Sequence, residues 1–131
     1  MWLIAEDDTD IRNLMETLFT VWGYDSLVFD SGAQVWDWLD AIETGRYGGP
    51  LPEFALMDIR MPGKKGNELA RRMRVLGPTQ AMPIVLMTAF ALSADEQDNI
   101  LKQGVDKIIN KPLPDFDKLY HILHEVIYAK A

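Results

Sequence analysis

The chain has 131 residues, a length that suits one ordinary domain and leaves no room for a second. Hydrophobic residues make up 48% and charged residues 25%, which excludes disordered and fibrous classes, and the lack of cysteine excludes disulfides, thiolate metal sites and thiol nucleophiles. The net charge of -7 leaves no basic face of the kind that a compact nucleic-acid-binding domain needs, so we expect no direct contact with nucleic acid.

Neither end of the chain nor its interior indicates a membrane segment. The longest mostly apolar stretch, Met82 to Leu92, falls far short of the roughly 20 residues needed to span a bilayer. The apolar residues after Met1 run directly into Glu6 with no basic segment before them, which is unlike a signal peptide. We therefore expect a cytoplasmic protein that does not contact membranes.

The first half of the chain alternates short apolar runs with amphipathic stretches. Apolar residues at helical spacing indicate the helices, and Gly23 marks a helix end. The predicted elements are, in order, a strand over Trp2–Ala5, a helix over Thr9–Trp22, a strand over Asp25–Phe29, a helix over Ala33–Ile42 and a Gly/Pro-rich loop over Thr44–Glu53.

The second half continues the same alternation, so the whole chain is predicted to form five strand–helix units. Its predicted elements are a strand over Phe54–Met57, a loop over Asp58–Gly66, a helix over Asn67–Leu76, a strand over Pro83–Thr88, a helix from the Ser93/Glu96 capping box to Gln103, a strand over Lys107–Asn110 and a helix over Asp115–Ala129. Continuous apolar strands alternating with helices predict a parallel sheet covered on both faces. Five units are too few for an eight-fold barrel, so we expect an α/β fold: a flavodoxin-like (βα)5 doubly wound sandwich with strand order 2-1-3-4-5.

Polar side chains follow four of the predicted strands. Glu6 and Asp7 follow the first strand, Asp58 follows the third, Thr88 ends the fourth and Lys111 follows the fifth. Ligands of open α/β sheets bind beyond the carboxyl ends of the strands, where the strand order reverses. We therefore expect three carboxylates, a hydroxyl and an ammonium to converge there.

This set of side chains is typical of phosphoryl chemistry. Clustered carboxylates raise one another's pKa unless a cation is present, and an all-oxygen cluster suits Mg²⁺. An ammonium and a hydroxyl beside the metal would complete a clamp for a phosphoryl group. The residues alone thus predict a Mg²⁺-dependent phosphoryl acceptor in which Asp58, Thr88 and Lys111 react, with Asp58 as the nucleophile.

Four motifs carry a resemblance to a known family, each at the end of a predicted strand. They are W-L-I-A-E-D-D at 2–8, L-M-D-I-R-M-P-G at 56–63, I-V-L-M-T-A-F-A at 84–91 and I-N-K-P-L at 109–113. In this order and spacing, the chain resembles the receiver domain of two-component response regulators of the chemotaxis-regulator type. The resemblance covers essentially the whole chain and implies a single receiver domain over 1–131 without an output domain.

The resemblance implies a metal site with four protein ligands. Glu6 and Asp7 match the acidic pair that holds Mg²⁺, and Asp58 matches both a metal ligand and the phosphoacceptor that becomes 4-aspartylphosphate. The backbone carbonyl of Arg60 matches the remaining ligand. No other cofactor is implied.

The resemblance also assigns the switching residues. Thr88 matches the hydroxyl that turns toward the phosphoryl group, Lys111 matches the lysine that pairs with it, and Lys111-Pro112 matches a peptide bond that is usually cis. Receivers often carry an aromatic switch residue where this chain has Ile108, which puts the usual aromatic coupling in doubt.

Three further residues flank the expected site. Ala89 and Phe90 follow Thr88 directly, and Arg60 lies two residues after Asp58. We expect Phe90 to shield the acyl phosphate from water and so to lengthen its lifetime.

The implied reaction takes a phosphoryl group from a phosphohistidine of a sensor histidine kinase or a histidine phosphotransfer protein. Phosphorylation then changes the surface of strand 4, helix 4 and strand 5, which signals to an unidentified downstream effector protein, and the chain dephosphorylates itself. It is not expected to be an enzyme in the usual sense, and it would be a monomer or a phosphorylation-dependent dimer.

Three alternatives belong to other classes. A degenerate receiver would bind partners without phosphorylation, but the acidic pair, Asp58, Thr88 and Lys111 are all present. An aspartyl-phosphate phosphatase of the haloacid-dehalogenase kind needs an acid where this chain has Arg60. A flavin-binding module needs a phosphate-binding loop where this chain has acids.

Several residues have simpler structural interpretations. Asp8 is expected to cap helix 1, and His121 and His124 to lie on the surface with one edge touching the core. Trp22 and Trp36 are expected in the core and Trp38 on the surface. The basic residues near helix 3 are expected to be solvated: Lys64, Lys65, Arg71, Arg72 and Arg74.

Overall fold

The computed structural model describes residues 1–130, which form one five-stranded parallel sheet flanked by helices. The strands are β1 (Trp2–Ala5), β2 (Ser26–Phe29), β3 (Phe54–Asp58), β4 (Ile84–Thr88) and β5 (Lys107–Asn110). The helices are α1 (Thr9–Val21), α2 (Gly32–Glu43), α3 (Gly66–Val75), α4 (Ala94–Lys102) and α5 (Phe116–Lys130), with a 3-10 turn over Gly77–Thr79. The strand order is β2-β1-β3-β4-β5, which confirms the predicted flavodoxin-like sandwich.

The register of the strands brings their carboxyl ends to one edge of the sheet. Ala5 pairs with Met57, Asp58 with Met87, and Thr88 with Asn110. Residues that directly follow the strands are therefore neighbours in space although they lie far apart along the chain.

Two hydrophobic layers cover the sheet, because side chains alternate between its faces. Leu3 and Met57 face the layer of α2 and α3, whereas Ile4 and Leu56 face the layer of α1 and α5. Both faces of β1, β3 and β4 are fully buried, which accounts for their continuous apolar sequences. No helix within residues 1–130 is long and apolar enough to cross a membrane.

Of the two tryptophans of α2, Trp38 lies deeper than predicted and Trp36 less deep. Trp38 is buried, with 7% of its surface exposed, and its ring contacts Phe29 and Tyr47 at centroid distances of 5.9 and 5.8 Å. The prediction of an exposed Trp38 is wrong because Tyr47, from the loop after α2, folds back over it. Trp36 lies half-buried at the edge of the core, where Lys64 Nζ and the Arg72 guanidinium stand 4.4 and 4.2 Å from its ring centroid.

His124 is buried rather than on the surface, with 5% exposed, whereas His121 is exposed as expected. The Nδ1 of His124 lies 2.7 Å from the carbonyl oxygen of Tyr120, and its Nε2 lies 2.6 Å from the hydroxyl of Tyr24. A carbonyl only accepts hydrogen bonds, so Nδ1 is the donor and Nε2 accepts from Tyr24. Tyr24 stacks on Trp2 at 3.8 Å, so an aromatic cluster from β1, the segment before β2 and α5 encloses the imidazole.

Two arginines of α3 are held by ion pairs and are not solvated. Arg72 donates to Asp40 at 2.6 Å and to Glu43 at 2.7 Å, which ties α3 to α2. Arg74 donates to Asp106 at 3.1 Å and to the carbonyl oxygen of Met82 at 2.6 Å. These acids are distant in sequence, so the local run of basic residues did not indicate the pairing.

The loop after β3 is fastened to the start of α2. The amides of Gly32 and Ala33 donate to the carbonyl oxygen of Pro62 at 2.9 and 3.3 Å, and Gly63 has a φ of 91°, which favours glycine. The backbones approach so closely that a Cβ on Gly32 would lie 1.9 Å from the carbonyl oxygen of Lys64.

We therefore expect Gly32→Ala to lower the free energy of unfolding by about 1–3 kcal/mol, the usual cost of overpacking, because the obstacle is backbone. Gly48→Ala is the control, since no atom lies within 4 Å of the added methyl group, and it should change stability by less than about 0.5 kcal/mol. Urea denaturation of both variants measures the difference. Equal stabilities would contradict the close approach.

Candidate functional site

The site lies at the carboxyl edge of the sheet, where four chain segments meet. Glu6 directly follows β1, Asp58 ends β3, Thr88 ends β4 and Lys111 directly follows β5. The structure thus brings together side chains that are separated by as many as 105 positions along the sequence.

Lys111 joins the two buried carboxylates. Its Nζ donates to Glu6 Oε1 at 2.5 Å and to Asp58 Oδ2 at 3.0 Å. Glu6 is fully buried and only 7% of Asp58 is exposed, so water does little to screen these contacts. The Lys111–Pro112 peptide bond is cis, as expected, and Pro112 itself is exposed.

The site holds more negative than positive charge. The pKa of Glu6 is raised to about 7, first by burial and then by the neighbouring Asp58, and Lys111 only partly opposes them. Burial disfavours the charged form of Lys111, but its hydrogen bonds to Glu6 and Asp58 outweigh this, so its pKa is raised. The ammonium stays charged at neutral pH and one cation faces several acids.

Three carboxylates are placed to hold a metal ion together. Glu6, Asp7 and Asp58 each offer an oxygen within 4.8 Å of the others. Glu6 Oε2 is buried and has no hydrogen-bond partner within residues 1–130, which is costly for a carboxylate oxygen. A hard divalent cation would give this oxygen a partner and offset the excess charge, so the residues fit Mg²⁺. Asp7 is exposed, so the cluster is open to solvent on that side.

Arg12 holds the acidic segment in place, a role that the sequence analysis missed. Its Nη1 donates to the carbonyl oxygens of Glu6 at 2.9 Å and Asp7 at 3.4 Å. Asp8 accepts a hydrogen bond from the Ile11 amide at 3.0 Å and caps α1, as predicted. The only sequence signal of this role was the position of Arg12 in the first turn of the helix that follows the acids.

Thr88 faces the following loop in this structure. Its Oγ1 accepts a hydrogen bond from the amide of Phe90 at 3.1 Å. The ring of Phe90 lies beneath the Arg60 guanidinium, 3.8 Å from its carbon, and 46% of the residue is exposed. Phe90 and Arg60 therefore form a stacked pair at the mouth of the site.

The other flanking residues frame the cleft. Ala89 is exposed and lines a shallow cleft together with Phe90 and Lys111. Ile108 is half-buried and packs against the core layer of α2 and α3. An aliphatic side chain in this position cannot act as an aromatic rotamer switch.

The arrangement is suited to stabilising a phosphoryl group. A carboxylate oxygen of Asp58 is available as a nucleophile, an ammonium is in contact with it, and the acids can hold a cation beside it. Phosphoryl transfer requires mostly such positioning and charge neutralisation.

Solved structures with the same fold include receiver domains. The receiver domain of sensor histidine kinase PA1611 from Pseudomonas aeruginosa PAO1, whose structure has a magnesium ion coordinated in the active site cleft, is 28% identical, with a TM-score of 0.76 and coverage of 97% of this chain and 96% of that one. A CheY-like response regulator receiver domain protein from Methanospirillum hungatei JF-1 is 26% identical, with a TM-score of 0.79 and coverage of 98% and 94%.

Curated relatives are longer proteins that match over nearly all of this chain. The DNA-binding transcriptional regulator NtrC of Klebsiella pneumoniae is 32% identical over 124 residues, which are 95% of this chain and 24% of that protein. The hybrid signal transduction histidine kinase I of Dictyostelium discoideum is 32% identical over 127 residues, 95% of this chain and 7% of that protein. The chain thus spans a quarter or less of the length of these relatives.

The family model described as the response regulator receiver domain matches residues 2–124, nearly the whole chain. Together with the sheet order and the similar structures, this match shows that the chain belongs to the response regulator receiver domain family of two-component systems.

Proposed function

We propose that this chain is a phosphorylation-dependent switch whose phosphoacceptor is Asp58. The observation that carries the proposal is the convergence of Glu6, Asp7 and Asp58 with the Lys111 ammonium in contact with Asp58. A receiver that had lost its chemistry would have no need to keep such a costly cluster of buried charge. We further propose that residues 1–131 act as one receiver domain.

The metal ligands in this proposal are the carboxylates of Glu6, Asp7 and Asp58 and the backbone carbonyl of Arg60. Mg²⁺, when bound, supplies positive charge beside the phosphoryl oxygens. Arg12 contributes indirectly, because its hydrogen bonds to the Glu6 and Asp7 carbonyls fix the backbone that carries the two acids.

In the forward reaction, an oxygen of Asp58 attacks the phosphorus of a phosphohistidine. The P–N bond breaks, the histidine nitrogen keeps the electron pair and takes up a proton, and the acyl phosphate forms. The Lys111 ammonium then donates hydrogen bonds to the phosphoryl oxygens, which carry the negative charge. In dephosphorylation, water attacks the same phosphorus and releases inorganic phosphate, which restores the carboxylate.

The switch begins at Thr88. To donate to the phosphoryl group its hydroxyl must turn away from the Phe90 amide, which frees the loop between β4 and α4. No residue of α4 is fully buried, so this helix can shift at little packing cost. We propose that the surface of β4, α4 and β5 changes in this way and is recognised by a downstream protein.

Phosphorylation by a small donor tests the assignment of Asp58. Incubation with acetyl phosphate and Mg²⁺ should add the mass of one phosphoryl group to the intact chain, and EDTA should prevent the addition. Asp58→Asn should gain no mass because an amide oxygen is a poor nucleophile. A full gain of mass in Asp58→Asn would contradict the assignment.

Mg²⁺ should stabilise the fold through the acidic cluster. At a concentration one hundred times the dissociation constant, binding to the folded state adds about 2.7 kcal/mol to the free energy of unfolding. Asp7→Asn should lose most of this gain. Asp8→Asn is a matched control, because asparagine caps a helix as well as aspartate does and Asp8 is not in the cluster. Equal gains in both variants would rule out Asp7 as a ligand.

Phe90 should protect the acyl phosphate from water, as expected from its position. Phe90→Ala should shorten the half-life of the phosphorylated chain several-fold, whereas Phe90→Leu, which keeps most of the apolar bulk, should leave it nearly unchanged. Decay of the phosphoprotein mass after removal of the donor measures both. If Phe90→Ala decays no faster than the unmodified sequence, the shielding role is wrong.

A further inference from the structure

The segment 64–74, which leads into α3 and runs along it, is basic in an otherwise acidic chain. It holds five of the 13 cations of the sequence and one acid, Glu68, so its net charge is +4. Because the whole chain carries -7, the remainder carries -11. An anionic partner is therefore repelled by most of this protein and attracted to the side that carries α3.

Part of this positive charge is not used inside the fold. Arg72 and Arg74 are committed to acids of other segments. The other three cations form no ion pair in the described part of the chain: Lys64, Lys65 and Arg71. The carboxylate of Glu68 accepts a hydrogen bond from the backbone amide of Lys65 at 3.1 Å and so serves the start of α3.

A groove of about 330 Å³ lies beside these cations and is partly apolar. Trp36 of α2, residues of α3 that include Arg71 and Val75, and Gln103 at the end of α4 line it. The Lys64 ammonium stands 4.4 Å from the centroid of the Trp36 ring, so it borders the same groove. Trp36 is only half-buried and 77% of Val75 is exposed. The groove thus offers apolar contacts and uncommitted cations side by side.

The groove lies on the part of the fold that the proposed switch leaves in place. Arg72 ties α3 to α2 through Asp40 and Glu43, and the loop after β3 is fastened to the start of α2. The Asn67 amide donates to Gln103 Oε1 at 3.0 Å, which holds the end of α4 against α3. We therefore expect the groove to keep its shape whether or not the phosphoryl group is present.

We propose that the groove between α2 and α3 binds an acidic peptide segment of another protein, one with a large apolar side chain beside its carboxylates. The apolar side chain packs on Trp36 and Val75, and the carboxylates pair with Arg71 and Lys64. Nucleic acid fits less well, because its binding depends on neutralising many phosphates and only three cations are free here. This docking site is separate from the phosphoryl site and goes beyond the proposed function.

Fluorescence anisotropy of a labelled peptide of glutamates around two central leucines measures the interaction at low ionic strength. Arg71→Glu should weaken binding about fivefold, the scale of an exposed ion pair, and Val75→Ser should weaken it several-fold. Lys118→Glu is the matched control: Lys118 is exposed on α5, forms no ion pair among the described residues, and its reversal makes the same charge change. Its affinity should stay within about twofold. Urea denaturation reports that each variant is folded.

The place of binding has its own readout. In a proton–nitrogen correlation spectrum, the peptide should shift the indole signal of Trp36 and the amides of α3, and leave those of α5 unchanged. Beryllofluoride with Mg²⁺, which mimics a phosphoryl group, should change the affinity by less than about twofold, because the groove does not move.

Several results would overturn the inference. These are no binding of the peptide, equal losses in Arg71→Glu and Lys118→Glu, or equal binding of duplex DNA or of a peptide with serines in place of the leucines, which would indicate attraction of negative charge alone. Self-association of the chain that Arg71→Glu abolishes would assign the groove to a second copy instead. The proposed function fails separately, if acetyl phosphate adds no mass to the chain.

Discussion

The contact of Lys111 with Glu6 and Asp58 is the interaction on which the rest of the site depends. Both carboxylates are buried, and an unpaired buried charge costs far more than an exposed one. One ammonium compensates them incompletely, which is why burial and Asp58 still hold the pKa of Glu6 near 7. The fold therefore carries a standing excess of negative charge, and this excess accounts for the attraction of the site for a divalent cation.

The sheet brings these groups together at its carboxyl edge. The two loops beside them differ in how firmly they are fixed to the rest of the fold. On one side, the loop after β3 is fastened to α2 through the Pro62 carbonyl and the close approach of Gly32. On the other side, the loop after β4 is held by the hydrogen bond between Thr88 and Phe90 and leads into a helix without a fully buried residue. A switch benefits from this asymmetry, because the acceptor stays fixed while its surroundings move.

Much of this architecture could be predicted from the sequence because its causes are local. The unbroken apolar run of β4 and the alternation of strands and helices indicated a parallel sheet, and the residues that follow each strand had to meet at its edge. The convergence of Glu6, Asp58 and Lys111 followed from that topology alone. Their roles in phosphoryl transfer remain predictions from the family resemblance and from the chemistry of the cluster.

The features that could not be predicted depend on contacts between distant segments. Trp38 is buried because Tyr47 folds back over it, and His124 is enclosed because Tyr24 reaches it from the segment before β2. Arg12 and Arg72 bind groups whose positions no local pattern shows. The stack of Arg60 on Phe90 likewise joins two loops, so this contact could not be predicted from either loop alone.

In the proposed reaction, an oxygen of Asp58 forms the acyl phosphate. Borohydride reduces an aspartyl phosphate to homoserine, so reduction of the chain after incubation with acetyl phosphate and Mg²⁺, followed by peptide mass mapping, locates the acceptor directly. We expect homoserine at position 58 alone, and only when Mg²⁺ is present. Homoserine at position 7, or at several acidic residues regardless of Mg²⁺, would contradict this assignment.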